Sequence, residues 1–208
     1  MERREVDEII ILDISATPNN RGPRFEEVKA LTENLFMPVT IGGGIRNVND
    51  VKRLLANGAD KVAINTAAIE RPALISEAAE KFGSQAVVIS IDAKAGRVVS
   101  HCGTREFPMA PITEWASEVE ARGAGEILLN SIDRDGMMNG YDIDLIREVS
   151  AAVDIPVIAC GGCGLYEHME QAIKAGAHAV AVGAMFQFTD QTPRGASRHL
   201  NEHGIPAR

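Results

Sequence analysis

Residues 38–65 read PVTIGGGIRNVNDVKRLLANGADKVAIN. The stretch opens with a short apolar run from Pro38 to Ile41, breaks at Gly42-Gly43-Gly44, and closes with a second such run from Lys61 to Asn65. Between them Val51 to Asn57 reads as a helix that stops before Gly58-Ala59, because glycine readily takes the left-handed conformation a helix end needs. A strand, a helix and a strand joined in this way form one β/α/β unit, whose two strands run parallel.

The same alternation fills the chain on both sides. Further Val/Ile/Ala-rich runs lie at Glu8 to Ile14, Ala86 to Asp92, Glu126 to Ser131, Pro156 to Ala159 and Ala179 to Gly183, making seven in all. Such runs are the mark of parallel strands buried on both faces, and the intervals are long enough for crossover helices. Met169 to Ala175 ends before Gly176-Ala177, as the first helix ends before Gly58-Ala59. A shift of 118 positions aligns residues 7–68 with 125–186 without a gap, pairing Glu8 with Glu126, Gly22 with Gly140, Pro38 with Pro156, Gly43 and Gly44 with Gly161 and Gly162, and Gly58 with Gly176. Shared turn glycines imply shared backbone geometry. Each half then holds four β/α units. The expectation is an α/β fold, a TIM-type (β/α)8 barrel with an internal half-barrel repeat in a single domain, residues 1–208. The strand ending at Asp92 has its mate before Met1, so the chain is expected to hold barrel strands two to eight and to lack the first. Truncation, supply by another chain and rearrangement are all open at this point.

The 208 residues are 45% hydrophobic and carry a net charge of −8. No Lys/Arg cluster stands out, which argues against nucleic acid or anionic lipid as partner and favours a small molecule. The opening residues lack the apolar run of a signal peptide, and no stretch approaches the ~20 apolar residues of a membrane span, so a cytoplasmic protein is expected. Three cysteines are too few for a disulfide framework. Cys160-Gly161-Gly162-Cys163 has only one further cysteine to join it where a zinc site takes about four ligands, and no metal or cofactor is expected.

Barrel enzymes place their active sites at the C-terminal ends of the strands. Two glycine turns fall there, Gly42-Gly43-Gly44 and Gly161-Gly162, with Asn65-Thr66 beside the first and Gly183-Ala184 beside the second. Glycines let backbone N–H groups approach a phosphate, and the following helix adds its positive end; the alternative is that they make tight turns. Two related cradles suit a substrate with a phosphate at each end. Asp92 ends an apolar strand, where desolvation would raise its pKa into the range of acid/base work. Asp133 and Asp135 follow the next strand and could orient a substrate or an ordered loop, and Asp133 reads equally as a partner of Arg134 or a cap on the turn. At the opposite pole Glu8, Lys61 and Glu126 begin three strands. Spacing alone favours an ordinary ion-pair network there over the mouth of a channel.

Ile41-Gly42-Gly43-Gly44-Ile45-Arg46, Gly58-Ala59-Asp60-Lys61-Val62, Asn65-Thr66-Ala67-Ala68, Ile91-Asp92-Ala93-Lys94, Gly123-Ala124-Gly125-Glu126-Ile127 and Ser131-Ile132-Asp133-Arg134-Asp135-Gly136 together resemble the cyclase subunit of imidazole glycerol phosphate synthase, HisF. The resemblance runs from Glu8 to Arg208. It implies a TIM barrel that takes ammonia from a glutaminase subunit (HisH-like). The ammonia would convert a bis-phosphorylated formimino-ribulosyl nucleotide into imidazole glycerol phosphate and aminoimidazole carboxamide ribotide, in histidine biosynthesis. Asp92 would be catalytic. Gly43, Gly44, Asn65 and Thr66 would serve one phosphate, and Asp135, Gly136, Gly161, Gly162, Gly183 and Ala184 the other. Glu8, Lys61 and Glu126 would form the ammonia gate, reversing the reading from spacing, with Asp60 at the partner interface. The family's second catalytic aspartate, a substrate-closing loop and one gate arginine belong to the region of strand one. Residues 16–26 read more like paralogues that deliver ammonia for amidation of a cell-surface amino sugar. An inactive half-barrel-type fragment is the third alternative.

Overall fold

The computed structural model describes residues 6–106 and 111–207. Seven strands form one parallel sheet in chain order: β1 (Ile9–Leu12), β2 (Val39–Gly42), β3 (Lys61–Ile64), β4 (Val87–Lys94), β7 (Glu126–Ser131), β8 (Val157–Cys160) and β9 (Ala179–Val180). Eight of the nine helices among the described residues follow those strands: α1 (Phe25–Thr32), α2 (Val48–Ala56), α3 (Thr66–Glu70), α4 (Ala73–Phe82), α5 (Ile112–Ala121), α6 (Ile143–Ala152), α7 (Tyr166–Lys174) and α8 (Ala184–Phe188). The ninth, α9 (Pro193–Glu202), packs beside α7. This is the α/β architecture of a TIM-type barrel, with every expected strand in place. Among the described residues β1 and β9 are the two edges of the sheet and are not paired with each other.

Period-two alternation divides the core into two layers. Val39, Ile41, Val62, Ile64, Val87, Ile89, Ile91, Ile127, Leu129 and Val157 point outward and pack with helix residues such as Leu54, Leu74 and Trp115. The residues between them turn inward, where Ala63, Val88 and Leu128 are buried with Ile10, Ile158, Cys160 and Ala181 against them. A buried Leu54 contributes roughly 1.5–3 kcal/mol by leaving water, so the outer layer supplies most of the stability.

Element boundaries follow local hydrogen bonds. α2 begins at Val48, three residues before the expected start, because the Asn47 side chain accepts from the N–H groups of Asn49 and Asp50. It ends at Gly58 (φ +97°), whose N–H reaches the Leu55 carbonyl while that of Ala59 reaches Leu54, closing the helix end. β1 stops before the expected Ile14 because Asp13 starts a turn, its carboxylate accepting from the Ser15 backbone N–H and hydroxyl. β9 is shorter than expected because it pairs on one side only, with β8.

One element is absent from the sequence reading. After β4 the chain doubles back into an antiparallel hairpin, β5 (Arg97–Ser100) and β6 (Arg105–Glu106). The β4–β5 turn is Ala95-Gly96, with φ +48° and +73°, the two-residue turn whose twist matches that of the strands it joins.

Candidate active site

Because the seven strands are parallel and in register, inward side chains at their ends converge on two poles. β4 presents Val88, Ser90 and Asp92 inward, and β7 presents Glu126, Leu128 and Asn130, with Val88 opposite Glu126 and Asp92 opposite Asn130. Asp92 and Asn130 therefore meet at the C-terminal pole, and Asn65, one residue past β3, joins them.

At that pole Asp92 Oδ1 accepts from the Asn130 amide at 3.3 Å and lies 3.5 Å from the Ser90 hydroxyl. Burial pushes its carboxyl above the ordinary value of 3.8. Polar contacts from Asn130, Ser90 and Asn65 pull it down by less, and the nearby Asp135 charge pushes it up further. Among the described residues no basic side chain forms an ion pair with it. The Oδ1 atoms of Asn65 and Asn130 are shielded from solvent without a hydrogen-bond partner among the described residues. A desolvated carboxyl held only by neutral groups and flanked by two unsatisfied acceptors is costly for stability alone and is suited to exchanging a proton with a bound polar molecule.

The two glycine turns flank this carboxyl in matching ways. Gly162 has φ +105°, and a Cβ there would stand 2.2 Å from the Gly140 carbonyl oxygen, whose own N–H donates to the Gly162 carbonyl at 2.8 Å. Gly44 has φ +71°, and a Cβ would stand 2.6 Å from the Arg21 carbonyl oxygen. Each turn thus lies beneath the loop that follows the preceding strand. The loop over Gly44 is held by Asp13, which pairs with Arg21 at 2.9 Å; the Ser15 hydroxyl, helped by Arg21, holds the Asp13 carboxyl below its ordinary value. Asn65 and Gly183 precede α3 and α8 without making side-chain caps. A Cβ on Gly183 would meet nothing, so crowding does not require glycine there. The Thr66 hydroxyl accepts from the His101 N–H of the hairpin at 3.1 Å.

Asp135 and Gly136 lie in the exposed loop after β7, and Asp135 is close enough for its charge to act on both Asp92 and Cys160. Of the alternatives for Asp133, pairing with Arg134 does not form among the described residues. Asp133 instead accepts from the Ala95 N–H at 2.6 Å and so braces the hairpin turn, while Arg134 lies 3.9 Å from Asp142. Cys160 and Cys163 are free thiols. Burial pushes the Cys160 thiol up to about 12, leaving it protonated and unreactive. A cleft of about 290 Å³ opens beside the hairpin, lined by Ala93, Asp133, Asp142 and Leu145, but Asp92 is not part of its wall.

At the N-terminal pole Lys61 Nζ lies 2.7 Å from Glu126 Oε1 and 3.0 Å from both Glu8 carboxylate oxygens. Burial alone would lower the lysine pKa, but hydrogen bonds and charge from Glu126 and Glu8 outweigh it and leave it raised. Asp60 is exposed, yet one carboxylate oxygen accepts from the Val39 N–H at 2.8 Å, which ties β3 to the start of β2.

Asn130, Ser90, Asp13, Arg21 and the hairpin were not legible as site elements. Asn130 and Ser90 carry a signal in retrospect, since each falls two residues from an inward position on its strand. No comparable signal marks Arg21.

Residues 1–192 match the family described as histidine biosynthesis protein. A curated relative, imidazole glycerol phosphate synthase subunit HisF of Thermobifida fusca (strain YX), is 43% identical over 211 residues, covering 97% of this chain and 82% of the relative.

Proposed function

The chain belongs to the histidine biosynthesis protein family as a HisF-type member, and from that premise we propose that it is the cyclase subunit of an imidazole glycerol phosphate synthase. It takes ammonia from a glutaminase subunit of the HisH type. It uses that ammonia to convert the bis-phosphorylated formimino-ribulosyl nucleotide into imidazole glycerol phosphate and aminoimidazole carboxamide ribotide. The observation that carries this reading is Asp92, a desolvated carboxyl set between two glycine turns and lacking any cationic partner among the described residues.

Asp92 takes up and returns the proton that ammonia addition and ring closure require, a task that favours a carboxyl raised toward neutrality. Asn65 and Asn130 offer unsatisfied carbonyl oxygens to donors on the substrate. Backbone N–H groups around Gly43, Gly44, Asn65 and Thr66 receive one phosphate. Those around Gly161, Gly162, Gly183 and Ala184 receive the other, with Asp135 and Gly136 closing over it. Lys61, held between Glu8 and Glu126, guards the far end of the barrel. Ammonia enters there, and Asp60 lies at the glutaminase interface. Between the poles the inward residues Ala63, Val88 and Leu128 form a buried apolar layer, and a route through it would exclude charged species and favour neutral ammonia. The 43% identity to a HisF subunit favours the histidine-pathway acceptor over an amino sugar.

The test is turnover of the formimino-ribulosyl nucleotide with ammonium salt supplied directly, following imidazole glycerol phosphate. Turnover that disappears in Asp92→Asn supports the assignment. Failure to bind the nucleotide, measured by calorimetry, would sink it.

A further inference from the structure

Away from both poles, the helical shell holds a cluster that the proposed reaction does not use. Glu170 on α7 and His199 and His203 at the end of α9 each offer one donor atom, and the three donors lie within 4.8 Å of one another. The histidines are four residues apart, so one helical turn stacks their rings with centroids 4.2 Å apart. His199 Nε2 is shielded from solvent, has no hydrogen-bond partner among the described residues, and lies 3.4 Å from Glu170 Oε2. His203 Nδ1 lies 2.8 Å from the His199 carbonyl oxygen. A carbonyl can only accept, so Nδ1 carries the proton and the lone pair is on Nε2. Fixing one ring nitrogen on a backbone carbonyl is the usual outer support of a metal-binding histidine.

We propose that Glu170, His199 and His203 form a binding site for a zinc-class divalent transition ion, with water completing the coordination. Two imidazoles and a carboxylate are a common zinc donor set. A zinc ion takes such donors at about 2.0–2.2 Å, which places them roughly 3–3.5 Å apart. Glu170 and His199 already stand at that spacing, and the exposed His203 has to swing inward by about an ångström. Lys174 occupies Glu170 Oε1 and leaves Oε2 for the ion. Tyr166 backs the site: its ring lies 5.9 Å from that of His199, and its hydroxyl accepts from the Thr192 N–H at the start of α9. A bound ion would clamp α9, the last helix, to α7 and so brace the sheet edge at β9. The sequence reading tested metal binding only at the cysteines, and so it passed over a cluster assembled from two separate helices.

The experiment is titration of the untagged full chain with Co²⁺, read by visible absorption, and with Zn²⁺, read by calorimetry. One equivalent should bind, with cobalt d–d bands and no sulfur-to-cobalt band in the near ultraviolet, and Zn²⁺ should raise the melting temperature. His199→Ala and Glu170→Gln should each weaken Zn²⁺ binding at least ~10-fold, more than loss of an outer-shell partner would. His203→Ala, at an exposed helix end, should do the same with circular dichroism unchanged, which keeps the test valid if His199→Ala fails to fold. The proposal is overturned if neither ion binds at tenfold excess over micromolar protein, if binding survives His203→Ala, or if it is lost instead in Cys102→Ser.

Discussion

The two poles of the sheet are built from the same strands and differ in how they treat charge. At the N-terminal pole the buried cation is answered by two carboxylates, although Glu126 Oε2 itself has no hydrogen-bond partner among the described residues. Lys61 sits between Glu126 and Glu8, and its ammonium is favoured despite burial. At the C-terminal pole Asp92 is buried among neutral amides and a hydroxyl, with Asp135 adding repulsion, and its carboxylate is disfavoured. One end locks its protons in place and the other leaves a proton easy to exchange. The same barrel wall can therefore hold a fixed ion cluster and a titratable carboxyl, because an opposing charge decides which effect of burial wins.

The contrast breaks most visibly at Asp92. Asp92→Asn should lower kcat with ammonium by about 10²–10⁴-fold while nucleotide affinity changes by no more than a few-fold, since only proton transfer is lost. A variant retaining full kcat would make the C-terminal pole a binding site alone. Gly162→Ala strikes the same pole through its backbone. A Cβ driven against the Gly140 carbonyl at φ +105° should cost about 1–3 kcal/mol in urea unfolding and weaken nucleotide binding, leaving the Lys61 cluster intact. Lys61→Met strips the answering charge from the other pole. It should cost about 1–2 kcal/mol, less than a fully buried pair because Glu8 is on the exposed rim, and should lower glutamine-driven turnover more than ammonium-driven turnover.

The smallest effect sharpens the comparison by its sign. A carboxyl raised on folding favours the protonated native state, so its contribution to stability is fully present below 3.8 and is lost as pH rises through the folded value. Asp92→Asn should therefore unfold at higher urea than the parent at neutral pH, with the gap closing below pH 3.8. Across the same range the Lys61 cation persists, since its value is raised from 10.5. Equal stability of the two proteins at neutral pH would mean that Asp92 is not held at a disadvantage.

The seven parallel strands were legible because burial on both faces demands apolar runs, and α2 and α7 because each stops at a glycine. The β5–β6 hairpin was hidden because its second strand, Arg105–Glu106, is two charged residues with no apolar run to mark it. At the site, Asp92 was legible from its place at a strand end. Asn130 and Arg21 depend on which strands and loops meet in space, and the partner of Asp133 depends on a hairpin turn that had not been anticipated. The Glu170, His199 and His203 cluster was invisible for the same reason: one carboxylate and two imidazoles acquire meaning only when α7 and α9 touch.

The strict inward and outward alternation on β7 has an evolutionary consequence. Removing one residue from the middle of that strand would carry either Glu126 away from Lys61 or Asn130 away from Asp92, and would turn Ile127 or Leu129 into the barrel. Removing two would keep the faces but draw the poles together by roughly 7 Å. Length variation among descendants of this sequence is thus confined to the loops, and an alignment gap placed inside β4 or β7 marks an error of alignment or a lineage that has given up joining the two ends.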